Sequence, residues 1–315
     1  MPHHTRAPHQ IRDRIRLLFV NTQERAALTA LGLPSYPQWI AEATGLDPTQ
    51  IVTVDVADGQ PLPDTIEADA VIGGGSGHSA YEHLPWITRT KEFFRAAAAA
   101  GVPELHICWS HQARAESIGG RAAIGGHGRR FGVDTVRLTP AGRLDPLFTG
   151  LPDEFDLFTS HVDVVEQVPA RAVEGAVVEL AYSRVYRNET LAIGPTVRTI
   201  QAHPEITASI ISALARSRRG ALVREGWIGP DDADLDAFTA TLYAREAQIV
   251  ATSRRLMANW LRYHVRPGVR PDTAPTGTPS AGAGVGVAAG AGVVAGAGAG
   301  VGAHGGVPAA VGGVL

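Results

Sequence analysis

Cysteine is almost absent from this sequence of 315 residues, in which Cys108 is the only one. One cysteine cannot form a disulfide within the chain, so a disulfide-stabilised secreted scaffold is excluded. Lysine is equally scarce, with Lys91 alone, and arginine supplies the other basic side chains. The formal net charge of -3 shows no strong excess of either sign. We therefore expect no nucleic acid and no acidic membrane as a partner.

A long apolar run is also missing from the start of the chain. The opening sequence MPHHTRAPHQIRDRIRLLFV has no extended apolar core followed by small residues. We therefore expect no secretory signal, and this expectation together with the lone cysteine predicts a cytoplasmic protein. Residues 1–14 are mostly polar and charged and are predicted to form a flexible N-terminus.

Charge is missing from the other end of the chain. Residues 267–315 consist almost entirely of small residues, and after Pro271 only Asp272 and His304 can carry a charge. Glycine occurs throughout this stretch, where it dilutes the hydrophobicity and disfavours a helix by about 1 kcal/mol per residue. We therefore predict a disordered, elastin-like tail and no membrane-spanning helix.

From residue 15 to about residue 220 the chain alternates short β-branched runs with helix-like stretches. The first strands are predicted at Ile15–Asn21, Ile51–Val56, Ala70–Ile72 and Glu104–Cys108. Helices are predicted at Trp86–Ala100, His111–Ile118 and Ile206–Arg218. This alternation predicts an α/β fold with a central, mostly parallel sheet that is covered by helices on both faces.

Two regions depart from this alternation. Strand-like segments with little helix between them occur at Phe131–Leu138, Ala176–Tyr182 and Val197–Ile200. They indicate an antiparallel or mixed extension of the sheet. Residues 221–266 are predicted to form an accessory helical segment, in which Asp231–His264 carries one apolar stripe. Such a stripe predicts packing either on the domain or on a partner.

The candidate chemistry begins at Cys108, where a predicted strand ends and a helix follows within three residues. A nucleophile on such a tight turn is held at the carboxyl edge of the sheet, and the helix N-terminus favours the thiolate. The local sequence is equally compatible with an inert cysteine in the core. His106, Cys108 and His111 are close in sequence, but in the predicted turn they would not converge, so we expect no metal site.

A second segment with chemical potential, His203-Pro204-Glu205, follows about 95 residues later. A histidine can take the proton of a thiol and return it to a leaving amine, while a carboxylate orients the ring. An ordinary surface turn would explain these three residues if they stood alone. The occurrence of both segments, in this order and in an α/β chain, favours the catalytic interpretation.

Both segments resemble motifs of the class I glutamine amidotransferases. The nucleophile segment of that family is similar to VPELHICWSHQ around Cys108, and its His–Glu segment is similar to QAHPE around His203. The family's glycine loop resembles DAVIGGGSG, and its Ser-His-x-Asp stretch resembles TSHVD. The resemblance is nearest to the amidotransferase domain of GMP synthase. It implies a flavodoxin-like, three-layer catalytic domain over residues 15–220.

The resemblance implies a role for each member of a triad. Cys108 would be the nucleophile, His203 the general base and acid, and Glu205 the residue that orients His203. The implied reaction is hydrolysis of the γ-amide of glutamine through a γ-glutamyl thioester, with release of ammonia and without a cofactor or a metal. Because the sequence shows no P-loop for ATP, the ammonia would be supplied to a separate synthetase subunit.

The resemblance also implies residues that bind glutamine or a related γ-glutamyl substrate. The backbone N–H groups of Gly75 and Trp109 would form the oxyanion hole, Gln112 would help to hold glutamine, and His161 would lie on the substrate side. Residues 75–80 also match a G-x-G-x-x-A dinucleotide fingerprint. They follow the third predicted strand, and no suitably placed acidic residue is evident, so we do not expect a nucleotide there.

Three positions depart from the family's pattern. His106 and Ser110 stand where glycine usually flanks the nucleophile, and Ser76 stands where proline is common. Three functions stay open: a glutaminase subunit that serves a synthetase, a free-standing γ-glutamyl peptide hydrolase with the same triad, and a degenerate relative that binds a ligand or partner without turnover. His106 and Ser110 are the reason for considering the third. A cysteine-dependent acyltransferase is a fourth.

Overall fold

The computed structural model describes residues 14–268 of the chain. The flexible N-terminus predicted for residues 1–14 lies outside the described residues except for Arg14, and so does the predicted tail from residue 269 onwards. Within residues 14–268, no helix combines the length and the hydrophobicity that a membrane span requires.

The described chain alternates strands with helices in its first half and is rich in strands in its second. The strands are β1 Leu17–Asn21, β2 Ile51–Asp55, β3 Ala70–Gly73, β4 Glu104–Ile107, β5 Arg121–Ile124, β6 Arg130–Leu138, β7 Glu154–His161, β8 Asp163–Gln167, β9 Arg171–Ala172, β10 Gly175–Ser183, β11 Thr190–Ile193 and β12 Val197–Ile200. The α-helices are α1 Arg25–Ala30, α2 Tyr36–Thr44, α3 Pro85–Ala99, α4 Trp109–Ser117, α5 Ala208–Ser217, α6 Arg219–Arg224 and α7 Asp232–Tyr263.

One large sheet extends through the molecule in the order β2-β1-β3-β4-β12-β11-β10-β6-β7, with β9 paired to β10. From β2 to β12 the neighbouring strands are parallel. From β12 to β7 they are antiparallel. β5 and β8 form a separate antiparallel pair. The predicted α/β fold, with a parallel sheet and an antiparallel extension, is confirmed.

Helices cover both faces of the parallel strands. Successive side chains of a strand point to opposite faces, so each strand contacts helices on both sides. In β1, Leu17 and Phe19 belong to the core to which α2, α5 and α7 contribute. Leu18 and Val20 pack instead with Phe94 of α3. A strand that is buried on both faces is apolar along most of its length, as β1 is up to Asn21, which is why β1 could be predicted from the sequence.

The sequence prediction omits several elements. It has no α1 or α2, although Ser35 and Gln38 carry a capping signal for α2, in which the backbone N–H of Ser35 donates to Gln38 Oε1 over 2.8 Å. It also omits β5, β7, β8, β9 and β11. The helix predicted at Ile206–Arg218 corresponds to α5, which runs from Ala208 to Ser217. α6 begins after Arg218, whose φ of -101° and ψ of 11° interrupt the helix.

The apolar stripe on the long helix α7 faces the helix's own domain. Leu235, Leu242, Ile249, Leu256 and Trp260 are all buried and belong to the main hydrophobic core. The stripe therefore packs on the domain, one of the two predicted alternatives, and it offers no docking surface for a partner. Helix α7 is therefore a structural part of the domain, because its apolar side chains form part of the hydrophobic core.

Candidate active site

Cys108 occupies a strained turn between β4 and α4. Its φ of 51° and ψ of -104° lie in a region that L-residues rarely adopt. The backbone N–H of Cys108 donates to Ile200 O over 2.8 Å, so the turn is fixed to the end of β12. The side chain is nearly buried, and Gln201 Nε2 lies 3.6 Å from its Sγ. A thiol on such a turn is held at the carboxyl edge of the parallel strands.

The structure shows how His106 and Ser110 fit where the family usually has glycine. Gly73 of the neighbouring strand β3 provides the space: a Cβ atom there would lie 2.6 Å from Ser110 Oγ and 2.9 Å from His106 Nδ1. The Ser110 hydroxyl donates to Gly74 O over 2.6 Å. His106 and Ser110 can thus flank Cys108 because Gly73, on the adjacent strand β3, has no side chain.

His203 and Glu205 follow β12 and lie behind Cys108. Register pairs Ile200 with Ile107, so β4 and β12 end together and both segments leave the sheet at the same edge. His203 Nδ1 donates to Glu205 Oε1 over 2.7 Å, and both side chains are buried. The backbone N–H of His203 donates to Phe158 O over 2.9 Å. Tertiary structure therefore brings together the three residues of the predicted triad.

The charge of His203 depends on its neighbours. Burial alone would lower the pKa of His203, but the negative charges of Cys108 in its thiolate form and of Glu205 outweigh burial and raise it to about 10. A hydrogen bond with the Cys108 side chain adds to this rise of the pKa. An imidazolium held beside the sulfur is the arrangement that stabilises a thiolate nucleophile.

The predicted oxyanion donors differ in their surroundings. The backbone N–H of Gly75 donates to the hydroxyl of Tyr36 over 2.7 Å, so a substrate oxygen would have to compete for it. Thr22 Oγ1 donates to the carbonyl oxygens of Gly74 and Gly75, over 3.0 and 2.8 Å, and anchors the loop. Trp109 is the first residue of α4, with its ring 5.2 Å from that of Trp86. The oxyanion role of Gly75 and Trp109 stays a prediction.

Gln112 and His161 are connected to Cys108 through other polar groups. Gln112 Nε2 donates to Asp163 O over 2.9 Å and to Gln201 Oε1 over 3.1 Å. His161 Nδ1 donates to the same carbonyl over 3.0 Å. Burial lowers the pKa of His161 to about 3, so its ring is neutral. Gln201 thus lies between Gln112, which is predicted to bind the substrate, and the Cys108 thiol.

Two residues of the site have no counterpart among the predicted ones. Tyr36 is the partner of Gly75 and Glu205. Arg218 donates to Ser160 Oγ over 2.5 Å. Burial and the nearby Arg129 lower the pKa of Arg218 to about 10. This value is still well above 7, so the guanidinium stays charged at neutral pH and attracts the charge of a Cys108 thiolate. No local pattern indicates either residue, because Tyr36 reaches the site through the packing of α2, and Arg218 reaches it from the break between α5 and α6.

The site's other histidines do not form a metal centre. His106 Nε2 is paired with Glu104 Oε2 at 2.5 Å, and His111 Nδ1 lies 2.7 Å from Thr199 Oγ1. Across residues 14–268, no three side chains of His, Cys, Asp or Glu are grouped so as to hold a metal ion.

Residues 47–212 match the family model described as glutamine amidotransferase class-I. A γ-glutamyl-L-1-hydroxyisopropylamide hydrolase from a Pseudomonas species is 28% identical over 170 residues, which cover 50% of this chain and 54% of that protein. Glutamine-hydrolysing GMP synthases of Streptococcus pneumoniae strains are 31% identical over 113 residues, which cover 35% of this chain and 20% of theirs. The match thus spans about half the length of the first relative and a fifth of the second.

Solved structures with the same fold include a glutamine amidotransferase from Thermotoga maritima, with a TM-score of 0.63 and 19% identity, covering 79% of this chain and 98% of that one. A second, from Methylobacillus flagellatus, has a TM-score of 0.59 and 18% identity and covers 81% of this chain and 97% of that one. At such identities the likeness shows the fold alone.

Proposed function

Because the chain belongs to the class I glutamine amidotransferase family, we propose that it hydrolyses the γ-amide bond of glutamine or of a γ-glutamyl amide through Cys108, His203 and Glu205. The observation that carries this proposal is the contact of the buried His203–Glu205 pair with the strained turn of Cys108. Four motifs, distant in sequence, meet at one edge of the sheet. An inert core cysteine would need no such surroundings.

The proposed reaction has two halves. The Cys108 thiolate attacks the γ-carbonyl carbon, the C–N bond breaks, and His203 gives its proton to the leaving amine. A γ-glutamyl thioester and ammonia, or a substituted amine, result. Water then attacks the thioester, His203 takes the proton, and the C–S bond breaks to release glutamate. Covalent catalysis divides one difficult hydrolysis into two easier steps.

Two fates of the released amine have support: it leaves as a product when the chain acts alone, or it passes as ammonia to a separate synthetase. Hydrolysis by the chain alone is favoured by the Pseudomonas relative, whose name describes a γ-glutamyl amide hydrolase, and by a triad whose three members lie in one chain. It is also favoured by α7, whose apolar stripe is covered by its own domain. Supply of ammonia to a separate synthetase is favoured by the likeness to GMP synthases. We place hydrolysis by the chain alone first.

The main reason for considering a degenerate, non-catalytic relative is removed by the structure. It rested on His106 and Ser110, and Gly73 provides the space for both. A binding protein without turnover would still be revealed by an unreactive thiol, so the same experiment examines it.

The proposal is tested with purified protein, assayed alone with glutamine and with γ-glutamyl alkylamides. A glutamine-like electrophile should label one thiol per chain, since Cys108 is the only cysteine. Cys108→Ala should abolish both labelling and hydrolysis. We expect turnover without a partner, with the substituted amides as the better substrates. Turnover of glutamine that appears only on addition of a synthetase would support the second fate, and equal turnover by Cys108→Ala would overturn the mechanism.

A further inference from the structure

Tyr36 lies outside every motif of the sequence, yet its side chain reaches the candidate triad. It is the first residue of α2 and is fully buried. Its ring packs edge-on against Phe19 of β1, with centroids 5.1 Å apart, and its centroid lies 5.0 Å from that of Trp39. Two aromatic neighbours therefore fix the direction in which the hydroxyl group points.

The Tyr36 hydroxyl has two partners from two different parts of the site. It donates to Glu205 Oε1 over 2.8 Å and accepts the backbone N–H of Gly75 over 2.7 Å. These roles are fixed, because a carboxylate accepts and a backbone N–H donates. Burial and the charge of Glu205 raise the pKa of Tyr36 well above its usual value. The hydroxyl thus keeps its proton, and with it the bond to Glu205, throughout the neutral range.

Glu205 Oε1 is shared between Tyr36 and His203. The same oxygen accepts His203 Nδ1 over 2.7 Å, whereas Glu205 Oε2 has no hydrogen-bond partner among the described residues. Two hydrogen bonds to one oxygen restrain the carboxylate from rotating away from the imidazole ring. Orientation of His203 is the role proposed for Glu205, so Tyr36 acts on that role directly.

The glycine loop is the second element that Tyr36 holds. A Cβ atom at Gly74 would lie 3.1 Å from Tyr36 Cε1, which shows how closely the loop packs on the ring. The same loop is bonded to the start of α4, because the backbone N–H of Ser110 donates to Gly74 O over 3.2 Å. The hydroxyl of Tyr36 therefore connects the acidic member of the triad with the loop that adjoins the Cys108 turn.

We propose that Tyr36 is a positioning residue of this site, which holds Glu205 against His203 and orients the Gly75 N–H through a single hydroxyl group. The inference rests on the hydrolysis proposed above. During attack the substrate carbonyl oxygen becomes negatively charged, and a charged acceptor competes well with a neutral hydroxyl for the N–H of Gly75. Tyr36 acts through the two groups it holds.

Tyr36→Phe is the informative variant, because it removes the hydroxyl and keeps the ring between Phe19 and Trp39. We expect kcat for hydrolysis to fall about 10- to 100-fold, since small misplacements of catalytic groups cost this much, with KM within about twofold of wild type. A residue that only filled the core would show unchanged kcat in the fraction of protein that remains folded. Thermal denaturation and titration of the Cys108 thiol measure that fraction.

Thr44→Val is the matched control. Thr44 lies at the other end of α2, is buried, and donates through Oγ1 to Ile40 O over 2.6 Å. The variant removes a buried hydroxyl from the same helix at a distance from the site. We expect kcat equal to that of wild type, even where the melting temperature falls.

A double-mutant cycle with Glu205→Gln tests whether Tyr36 acts through the triad. Residues that act as a unit are not additive, so the part of the Tyr36→Phe loss that passes through Glu205 should vanish once Glu205 is replaced. In that background Tyr36→Phe should cost clearly less in kcat than it does in wild type. The same loss in both backgrounds, or undiminished kcat in Tyr36→Phe alone, would overturn the inference while leaving the proposed hydrolysis intact. Wild-type protein that neither hydrolyses γ-glutamyl amides nor is labelled at Cys108 would overturn both.

Discussion

Cys108 is one of two non-glycine residues with a positive φ in the described part of the chain; the other is Asn188. Such a conformation costs about 1–3 kcal/mol and persists only where the surroundings determine it. Here the restraints are the bond from Cys108 N to Ile200 O and the bond from Ser110 Oγ to Gly74 O. The strain is thus maintained from both neighbouring strands, β12 and β3, and its effect is to direct the thiol towards His203.

At the same scale, the two partners of Cys108 should differ in their importance. His203→Ala should lower kcat by several orders of magnitude, because the thiol loses its base and the leaving amine loses its acid. Glu205→Gln should cost less, about 10- to 1,000-fold, because only the orientation of the ring and the stabilisation of its charge are weakened. Steady-state kinetics with a γ-glutamyl amide measures both. A larger loss in Glu205→Gln than in His203→Ala would contradict the assigned roles.

At the scale of elements, β4 carries a buried polar cluster beneath the turn. Glu104 Oε2 is 2.5 Å from His106 Nε2 and 3.9 Å from Arg114 Nε, and Arg114 Nη2 is 2.5 Å from Glu174 Oε1. Burial raises the pKa of Glu104 to about 8 and lowers the pKa of His106 well below its usual value. At neutral pH the proton therefore belongs to Glu104, which donates to a neutral His106.

This cluster predicts a dependence of stability on pH. With a pKa raised from 4.5 to about 8, protonated Glu104 contributes stability that is complete below about pH 4.5 and is lost as the pH rises towards 8. Wild type should therefore lose several degrees of melting temperature relative to Glu104→Gln over that range. Glu104→Ala should be less stable at every pH, because it leaves His106 and Arg114 buried without this partner. Parallel melting curves for wild type and Glu104→Gln would contradict the assignment.

Helix α7 gives a second prediction at this scale. Leu242 is 1% exposed in the core, whereas the adjacent Tyr243 is 49% exposed. Leu242→Ala should lower the free energy of unfolding by about 2–5 kcal/mol, since it removes packing and leaves a cavity. Tyr243→Ala is the control and should change it by less than about 0.5 kcal/mol. Denaturant titration measures both, and equal losses would show that the helix does not pack as described.

At the scale of the whole molecule, the two ends of the C-terminal region should behave differently. Removing Pro271–Leu315, which lies outside the described residues, should leave the melting temperature and the activity nearly unchanged. Glycine and alanine bury too little apolar surface to offset a backbone ordering cost of about 1–2 kcal/mol per residue. Removing everything from Asp231 onwards should prevent folding, because α7 contributes Leu256 and Trp260 to the main core. Calorimetry and the hydrolysis assay distinguish these outcomes, and a large loss on removing the tail alone would show that it packs.

Features that depend on local sequence could be predicted, whereas features that depend on contacts between distant segments could not. The sequence by itself determined the strands of the parallel half, because they are short runs rich in apolar and β-branched residues that alternate with helices. It also named the residues of the candidate triad, because the motifs that resemble the family are local. It did not determine β5, β7, β8, β9 or β11, because these antiparallel strands depend on pairing with distant segments.

Only the tertiary structure decided how the site is assembled. The register of β4 against β12 brings Cys108 to His203, and Gly73 on β3 makes room for His106 and Ser110. Tyr36 and Glu205 are 169 residues apart in the chain, and no local pattern relates them. Hydrogen bonds and steric fit between distant segments depend on strand register and helix packing, which are properties of the whole core. The candidate catalytic groups could therefore be named from local motifs, while their positions were set by the fold.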